Sequence, residues 1–430
     1  FMIHLIGVSW ISESLFNYGS LDYLGSVLIT FTFILLISFP YILVGLFHRP
    51  IAGNIIFNIN LFASLFVIAE FIKSSLFGGF PWLLVGYSQP ETIFNYIYPI
   101  FGSYAVSYIV IFISALIYIA YYSKSKVYFI FTIIFAFAYY LLPDHLINEV
   151  SNKNEKITFT IYQPNIYPKD SYNPEEHDNI QKKYIKFLNH ERSNDIILLP
   201  ETIVPYELLK NDLLYKTINA KSNKDKTIIT GLFTKEKNKI YNSMVFFSDN
   251  IEIYNKRKLV PFGEYTPWYD YLFELAEALN IPLSNLSHGS DDQKDIYFKD
   301  IKIIPVICFE STFSNLVNSD NTRELMINIS NDSWFGNTLA PHQHLQISQI
   351  RAIEFNRFIL RATNTGISAV INNNGKVIKY IPNNTEGTIT GKIPIIESRS
   401  IYSQYGDIGI LIIGILPVIV PSVLLGIYYW

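Results

Sequence analysis

Residues 303–310 read IIPVICFE, a run of apolar, mostly β-branched residues followed by a thiol, an aromatic ring and a carboxylate. A short run of this kind fits a strand buried on both faces. A nucleophile placed where such a strand ends is rigidly held at the sheet edge, where α/β folds keep much of their chemistry. Taken alone, the stretch favours the opposite reading, because the usual state of a free cysteine is buried and inert. Two further segments change the balance. Residues 196–201 (IILLPE) repeat the pattern, an apolar run ending in Pro200 and Glu201. A carboxylate among apolar neighbours has the surroundings of a general base. Residues 254–265 (YNKRKLVPFGEY) gather Lys256 and Glu264 about a Pro-Phe-Gly turn. An ammonium group there would steady a thiolate and a developing oxyanion. Singly, each reads better as a solvated charge or a surface ion pair.

Around these segments β-branched runs alternate with helical patterns. Strands are expected at 157–162, 196–199, 227–233, 243–247, 303–307, 325–329, 367–371 and 387–390. Helices are expected at 175–189 and 342–358, the first opened by the cap signal of Asn173 and Pro174. That alternation predicts an α/β layered domain over residues 151–400. No internal repeat, low-complexity tract or glycine-rich phosphate loop interrupts it.

Outside this domain the composition changes. Of the 430 residues 50% are hydrophobic and only 16% charged, and the charge is concentrated in the middle. Residues 1–150 hold four basic side chains, Arg49, Lys73, Lys124 and Lys126, and beyond residue 400 the only charge is Asp407. A bilayer span needs roughly 20 mostly apolar residues. Candidates are 24–47, 55–77, 98–122 and 127–142 before the domain and 408–429 after it. All are apolar nearly all round, which a buried soluble helix would not need to be. Residues 1–16 are apolar but short and read as the remainder of another span. With no charged n-region and no small-residue cleavage site they do not read as a signal peptide, and a processed or truncated start is expected. Arg49, Lys124 and Lys126 place their turns in the cytoplasm, and the 78–97 loop, free of Lys and Arg, on the outer side. Lys73 is a small vote the other way. By parity residues 151–400 lie outside as well. The near-balance of charge excludes a nucleic-acid partner. A lone Cys308 excludes an intrachain disulfide and a cysteine-based zinc site.

Taken together and in order, LLPET, YNKRKLVPFGE and VICFE resemble the nitrilase, or carbon–nitrogen hydrolase, superfamily with its Glu–Lys–Cys triad. The combination with membrane spans is similar to the apolipoprotein N-acyltransferase family within it. The resemblance also rests on residues 79–89 (GFPWLLVGYSQ), 163–165, 241–243, 331–336 (NDSWFG) and 351–366 (RAIEFNRFILRATNTG), and so covers nearly the whole chain. It implies a nitrilase-like α-β-β-α sandwich inserted between transmembrane helices: residues 1–150 membrane, 151–400 catalytic, 401–430 a final span. It also implies one or two further spans ahead of Phe1.

Residue by residue, the resemblance implies Cys308 as nucleophile, Glu201 as its general base and Lys256 as the charge that stabilises the tetrahedral intermediate. Glu264 and Glu310 match carboxylates near the triad, Asn242 and Trp334 line the substrate site, and Trp268 faces lipid near the entrance. Phe309 stands where a tyrosine often follows the cysteine, and Tyr172 near where a tryptophan is usual. The implied reaction carries an acyl chain from a phospholipid, through a cysteine thioester, to the amine of a diacylglyceryl-cysteine apolipoprotein. No cofactor or metal is called for, and the enzyme is expected to be a monomer in the bacterial inner membrane with its domain in the periplasm. The rivals are a membrane-tethered amidase that uses water and an inactive binding protein on the same scaffold. A metal site at His342 and His344 is disfavoured for want of a partnering carboxylate.

Overall fold

The computed structural model describes residues 1–19, 21–48, 54–123, 130, 156–191, 194–266, 285–316, 322 and 324–410. Two short helices, α1 (Met2–Gly7) and α2 (Trp10–Tyr18), come first. The apolar start is therefore broken in two and does not form one span. Among the described residues three helices follow that are long and apolar enough to cross a bilayer: α3 (Tyr23–Phe47), α4 (Ile55–Ser75) and α5 (Tyr98–Ser123). Leu24, Leu28, Leu35 and Leu36 of α3 are exposed, as side chains meeting lipid would be. The expected spans at 127–142 and 408–429 lie outside the described residues, apart from residues 130 and 408–410, as do Arg49, Lys124 and Lys126.

Charged groups in a membrane helix are costly unless paired, and α4 carries two that are buried, Glu70 and Lys73. The Lys73 ammonium donates to the Trp82 carbonyl at 2.6 Å, and Glu70 accepts the Val85 N–H at 2.7 Å. Together they strap the loop after α4 onto the helix, so Lys73 reports this contact and not the side of the membrane. The loop then meets the polar domain: Trp82 Nε1 donates to Gln343 at 2.7 Å, and Asn95 donates to the Asn374 carbonyl at 3.0 Å. Loop and domain therefore lie on one side of the spans. In α5, Gly102 takes φ +74, and a Cβ there would stand 2.2 Å from the Tyr402 ring. Only glycine permits this backbone at this distance. The regular helix begins at Ser103, whose N–H and hydroxyl both donate to Glu354, an anion placed at the positive end of the helix dipole.

Among its described residues the polar domain has twelve strands in two six-stranded sheets. The first runs β12 (Gly387–Pro394), β1 (Lys156–Gln163), β2 (Ile196–Leu198), β3 (Thr227–Glu236), β4 (Lys239–Phe247), β5 (Ile251–Asn255). The second runs β11 (Val377–Ile381), β10 (Ser368–Ile371), β9 (Ile359–Thr363), β8 (Glu324–Ser330), β7 (Ile301–Ile307), β6 (Ile296–Phe298). Period-two burial explains the layering. Ile196 and Leu198 of β2 join Ile303 and Ile307 of β7 in the core between the sheets. Ile197 and Leu199 turn outward onto α6 (His177–His190) and α7 (Leu213–Lys221). Ile304 and Val306 turn outward onto Ala352 and Phe355 of α8 (Ala340–Phe355). Each such burial contributes about 1.5–3 kcal/mol. The α-β-β-α sandwich expected from the resemblance is thus present.

Strands β5, β6, β9 and β11 were not expected, and several element bounds differ from expectation, most plainly at the end of α8. The helix expected over 342–358 stops at Phe355, because Asn356 takes the left-handed conformation that ends helices. Residues 359–363, unassigned in the sequence reading, form β9.

Candidate active site

Three strand ends meet at one edge of the sandwich. β2 delivers Glu201 through Leu199 and Pro200, β5 delivers Lys256, and β7 delivers Cys308. Cys308 sits at φ +48 and Thr202, beside Glu201, at φ +50. Left-handed non-glycine residues cost energy and persist only where the surroundings impose them. At the Glu201 turn the imposing group is β3. A Cβ on Gly231 would lie 2.4 Å from the Glu201 Cα, and the Gly231 N–H donates to the Pro200 carbonyl at 3.0 Å.

Glu201 and Lys256 are almost wholly buried. The Lys256 ammonium donates to Glu201 Oε1 at 3.1 Å and to Glu264 Oε1 at 2.8 Å. Asn242 Nδ2 bridges the same two oxygens at 2.7 and 2.6 Å. The second oxygen of Glu201 accepts the Asn331 N–H, and that of Glu264 accepts the Val260 N–H, both at 2.8 Å. Burial alone would depress the Lys256 ammonium, but Glu201 and Glu264 raise it well above the usual lysine range, so it stays charged. Burial, and next the Glu201 carboxylate, push the Cys308 thiol well above its ordinary range, against the pull of Lys256. A thiol held in this way would need a base before it could attack.

The other candidates fall into place differently. Glu310 does not touch Lys256. It accepts from the Ile307 N–H at 2.9 Å and from Tyr254, Arg257 and Lys258 at 3.0, 2.6 and 3.2 Å. It thereby clamps the Cys308 turn to the Lys256 loop. Phe309 packs against Phe80 and Phe313, joining the Cys308 turn to the loop after α4. Trp334 stands 5.9 Å from Tyr172, ring to ring, and its carbonyl accepts from Ser14 of α2. Trp268 lies outside the described residues.

A buried polar cluster behind Cys308 was not foreseen. His344 of α8 places Nδ1 2.8 Å from Asp332, and Nε2 2.9 Å from the Ser311 hydroxyl and 3.1 Å from the Cys308 carbonyl. The Arg361 guanidinium donates to Asp332 at 2.8 Å. His344 thus has the carboxylate partner that the sequence did not reveal, and one of its nitrogens, an Asp332 oxygen and the Cys308 sulfur lie within 4.8 Å of one another. The set does not fit a metal ion: Arg361 already supplies Asp332 with a cation, and another would sit against it. Asp332 is held well below the usual carboxylate range by His344 and Arg361 despite its burial. The ionised carboxylate orients the ring, and Nε2 spans the two ends of the Cys308–Ser311 turn.

This arrangement makes a testable distinction. His344→Gln keeps an amide at the Nε2 position, whereas His344→Asn keeps one only at Nδ1. If the ring holds the turn, Asn should slow reaction at the Cys308 thiol by about a hundredfold, the scale of an ångström-sized misplacement. Gln should retain much of the rate. Equal single-turnover rates in the two variants would remove this role.

Residues 160–401 match the carbon–nitrogen hydrolase family, and residues 1–116 match the apolipoprotein N-acyltransferase N-terminal domain. Similar full-length proteins include the apolipoprotein N-acyltransferase of Coxiella burnetii, 31% identical over 95% of this chain and 87% of that protein. That of Shewanella oneidensis is 28% identical over 95% and 82%, and that of Haemophilus ducreyi 29% over 93% and 82%.

Proposed function

The chain belongs to the apolipoprotein N-acyltransferase family, and we propose that it acylates its lipoprotein through a thioester on Cys308 charged from a phospholipid. The observation that carries this reading is the buried Glu201–Lys256 pair, 3.1 Å apart, set at the same sheet edge as the Cys308 thiol. In the first half-reaction Glu201 takes the thiol proton while sulfur attacks the acyl ester carbonyl. Lys256 and the Phe309 N–H hold the oxyanion; one such donor is worth about 2.7–4 kcal/mol. Collapse breaks the ester C–O bond, the departing oxygen takes the proton from Glu201, and a lysophospholipid leaves. In the second half the α-amine of a diacylglyceryl-cysteine apolipoprotein attacks the thioester. Glu201 accepts the amine proton, the C–S bond breaks and the thiolate is reprotonated.

In this reading residues 1–150 and 401–430 hold the 151–400 domain at the depth of its lipid substrates. The domain faces the periplasm from the bacterial inner membrane, in line with the loop after α4 packing on it. A single chain carries the whole triad, so a monomer suffices. Mass spectrometry of the enzyme incubated with phospholipid should find one acyl chain on Cys308, discharged fast by a diacylglyceryl-cysteine peptide and slowly by water. Discharge by water alone, unaffected by the peptide, would favour the tethered amidase.

A further inference from the structure

A cleft of about 80 Å³ opens between the end of α4 and the catalytic domain. Gly78 and Gly79 line it on the membrane side, and Arg257, Lys258, His288 and Phe309 on the other. Among the described residues its lining holds two permanent cations and no carboxylate. Phe309 directly follows the nucleophile, so one end of the cleft adjoins the catalytic turn. Gly78 lies three residues beyond the last residue of α4, Ser75, which puts the other end at the membrane border.

The two cations are held differently. Arg257 is fixed, with Nε donating to Tyr254 at 3.0 Å and Nη2 to the Leu316 carbonyl at 2.8 Å. Lys258 has its backbone tied to Glu310, and its ammonium rests 5.4 Å over the Phe313 ring. Among the described residues that ammonium makes no ion pair. A cation steadied by a ring face but not neutralised is prepared to take an anion. An anion offered at the membrane border, beside the thiol that attacks an acyl ester, has the chemistry of a lipid phosphodiester. In a glycerophospholipid the ester carbonyl and the phosphate are joined by the glycerol unit, so a phosphate subsite must lie close beside the nucleophile.

We propose that this cleft binds the phosphate of the acyl donor, with Lys258 as the charge that recognises it. The proposal rests on the reading that the donor is a phospholipid. The test uses full-length enzyme and two donors that acylate the same sulfur: phosphatidylethanolamine in mixed micelles and the phosphate-free ester p-nitrophenyl palmitate. Lys258→Gln should raise the KM for the phospholipid about tenfold, the scale of one charged hydrogen bond, with kcat held. Thioester formation from the phosphate-free ester should be unchanged, and Lys258→Arg should restore the phospholipid KM. Loss with both donors alike, or with neither, overturns the subsite. Strong competition by inorganic phosphate would show that the cleft takes the free anion, and overturns its assignment to lipid. A wild type acylated only by the phosphate-free ester would refute the phospholipid reading itself, and the subsite with it.

Discussion

Cys308→Ala should fold, insert and melt like the wild type, yet transfer no acyl chain. The substitution removes one sulfur atom from a partly buried position against the core, so its cost to stability should be about 1 kcal/mol. Its cost to the reaction is of another order, because in the proposed mechanism every bond change passes through that sulfur; losses on the order of 10⁴–10⁶ are typical when a covalent nucleophile is removed. Cys308→Ser should fare little better, since a hydroxyl is a weaker acid than a thiol and Glu201 would have to deprotonate it. Transfer assays beside thermal melts decide the matter, and full activity in Cys308→Ala would end the cysteine mechanism. The raised thiol adds a pH signature. A group whose acidity is weakened by burial and by Glu201 holds its proton through neutrality. Alkylation of Cys308 should therefore keep climbing as pH passes the ordinary cysteine range. A rate already level at pH 7 would mean a resting thiolate–ammonium pair with Lys256.

Much of this fold was legible because its central strands are buried on both faces. Runs such as 196–199 and 303–307 are apolar without interruption, and such runs announce parallel central strands. The strands that went unread sit mostly at sheet edges: β5, β6 and β11 each close one end of a sheet. β6 has three residues, and β5 and β11 leave alternate or successive side chains exposed, so their apolar signal is diluted. β9 was missed for a different reason. Its apolar residues continue the pattern of α8, and only the backbone of Asn356 separates them. At the site, Glu201, Lys256 and Cys308 were readable because each ends an apolar strand or opens a turn, inside a motif in the expected order. The Asp332–His344–Arg361 cluster was not, because its members come from three elements and meet only in the folded core. The one available signal was an arginine within the apolar strand ILRAT at 359–363; a fully buried guanidinium must have a partner.

Glu201→Gln should stop the first half-reaction, whereas Glu264→Gln should pass it and slow the second. Both carboxylates hold the Lys256 ammonium and both take Asn242, so loss of a Lys256 partner does not distinguish them. Each substitution also turns an amide toward a backbone N–H, of Asn331 or of Val260, at a similar penalty of about 1–3 kcal/mol. The difference is proton transfer. In Glu201→Gln nothing replaces the group that relieves the thiol of its proton, and a positioned base is worth about 10²–10⁴-fold. In Glu264→Gln the base remains, and a negative charge is removed from beside Lys256. That leaves the ammonium freer to stabilise a thiolate, so acylation should persist. What suffers is the step in which a bulky amine must be seated against the thioester, if Glu264 helps to receive it. Trapping the acyl-enzyme from labelled phospholipid separates the cases. Thioester should be absent from Glu201→Gln and should accumulate in Glu264→Gln until lipopeptide slowly removes it. Thioester building up in Glu201→Gln would show that another group takes the proton from Cys308.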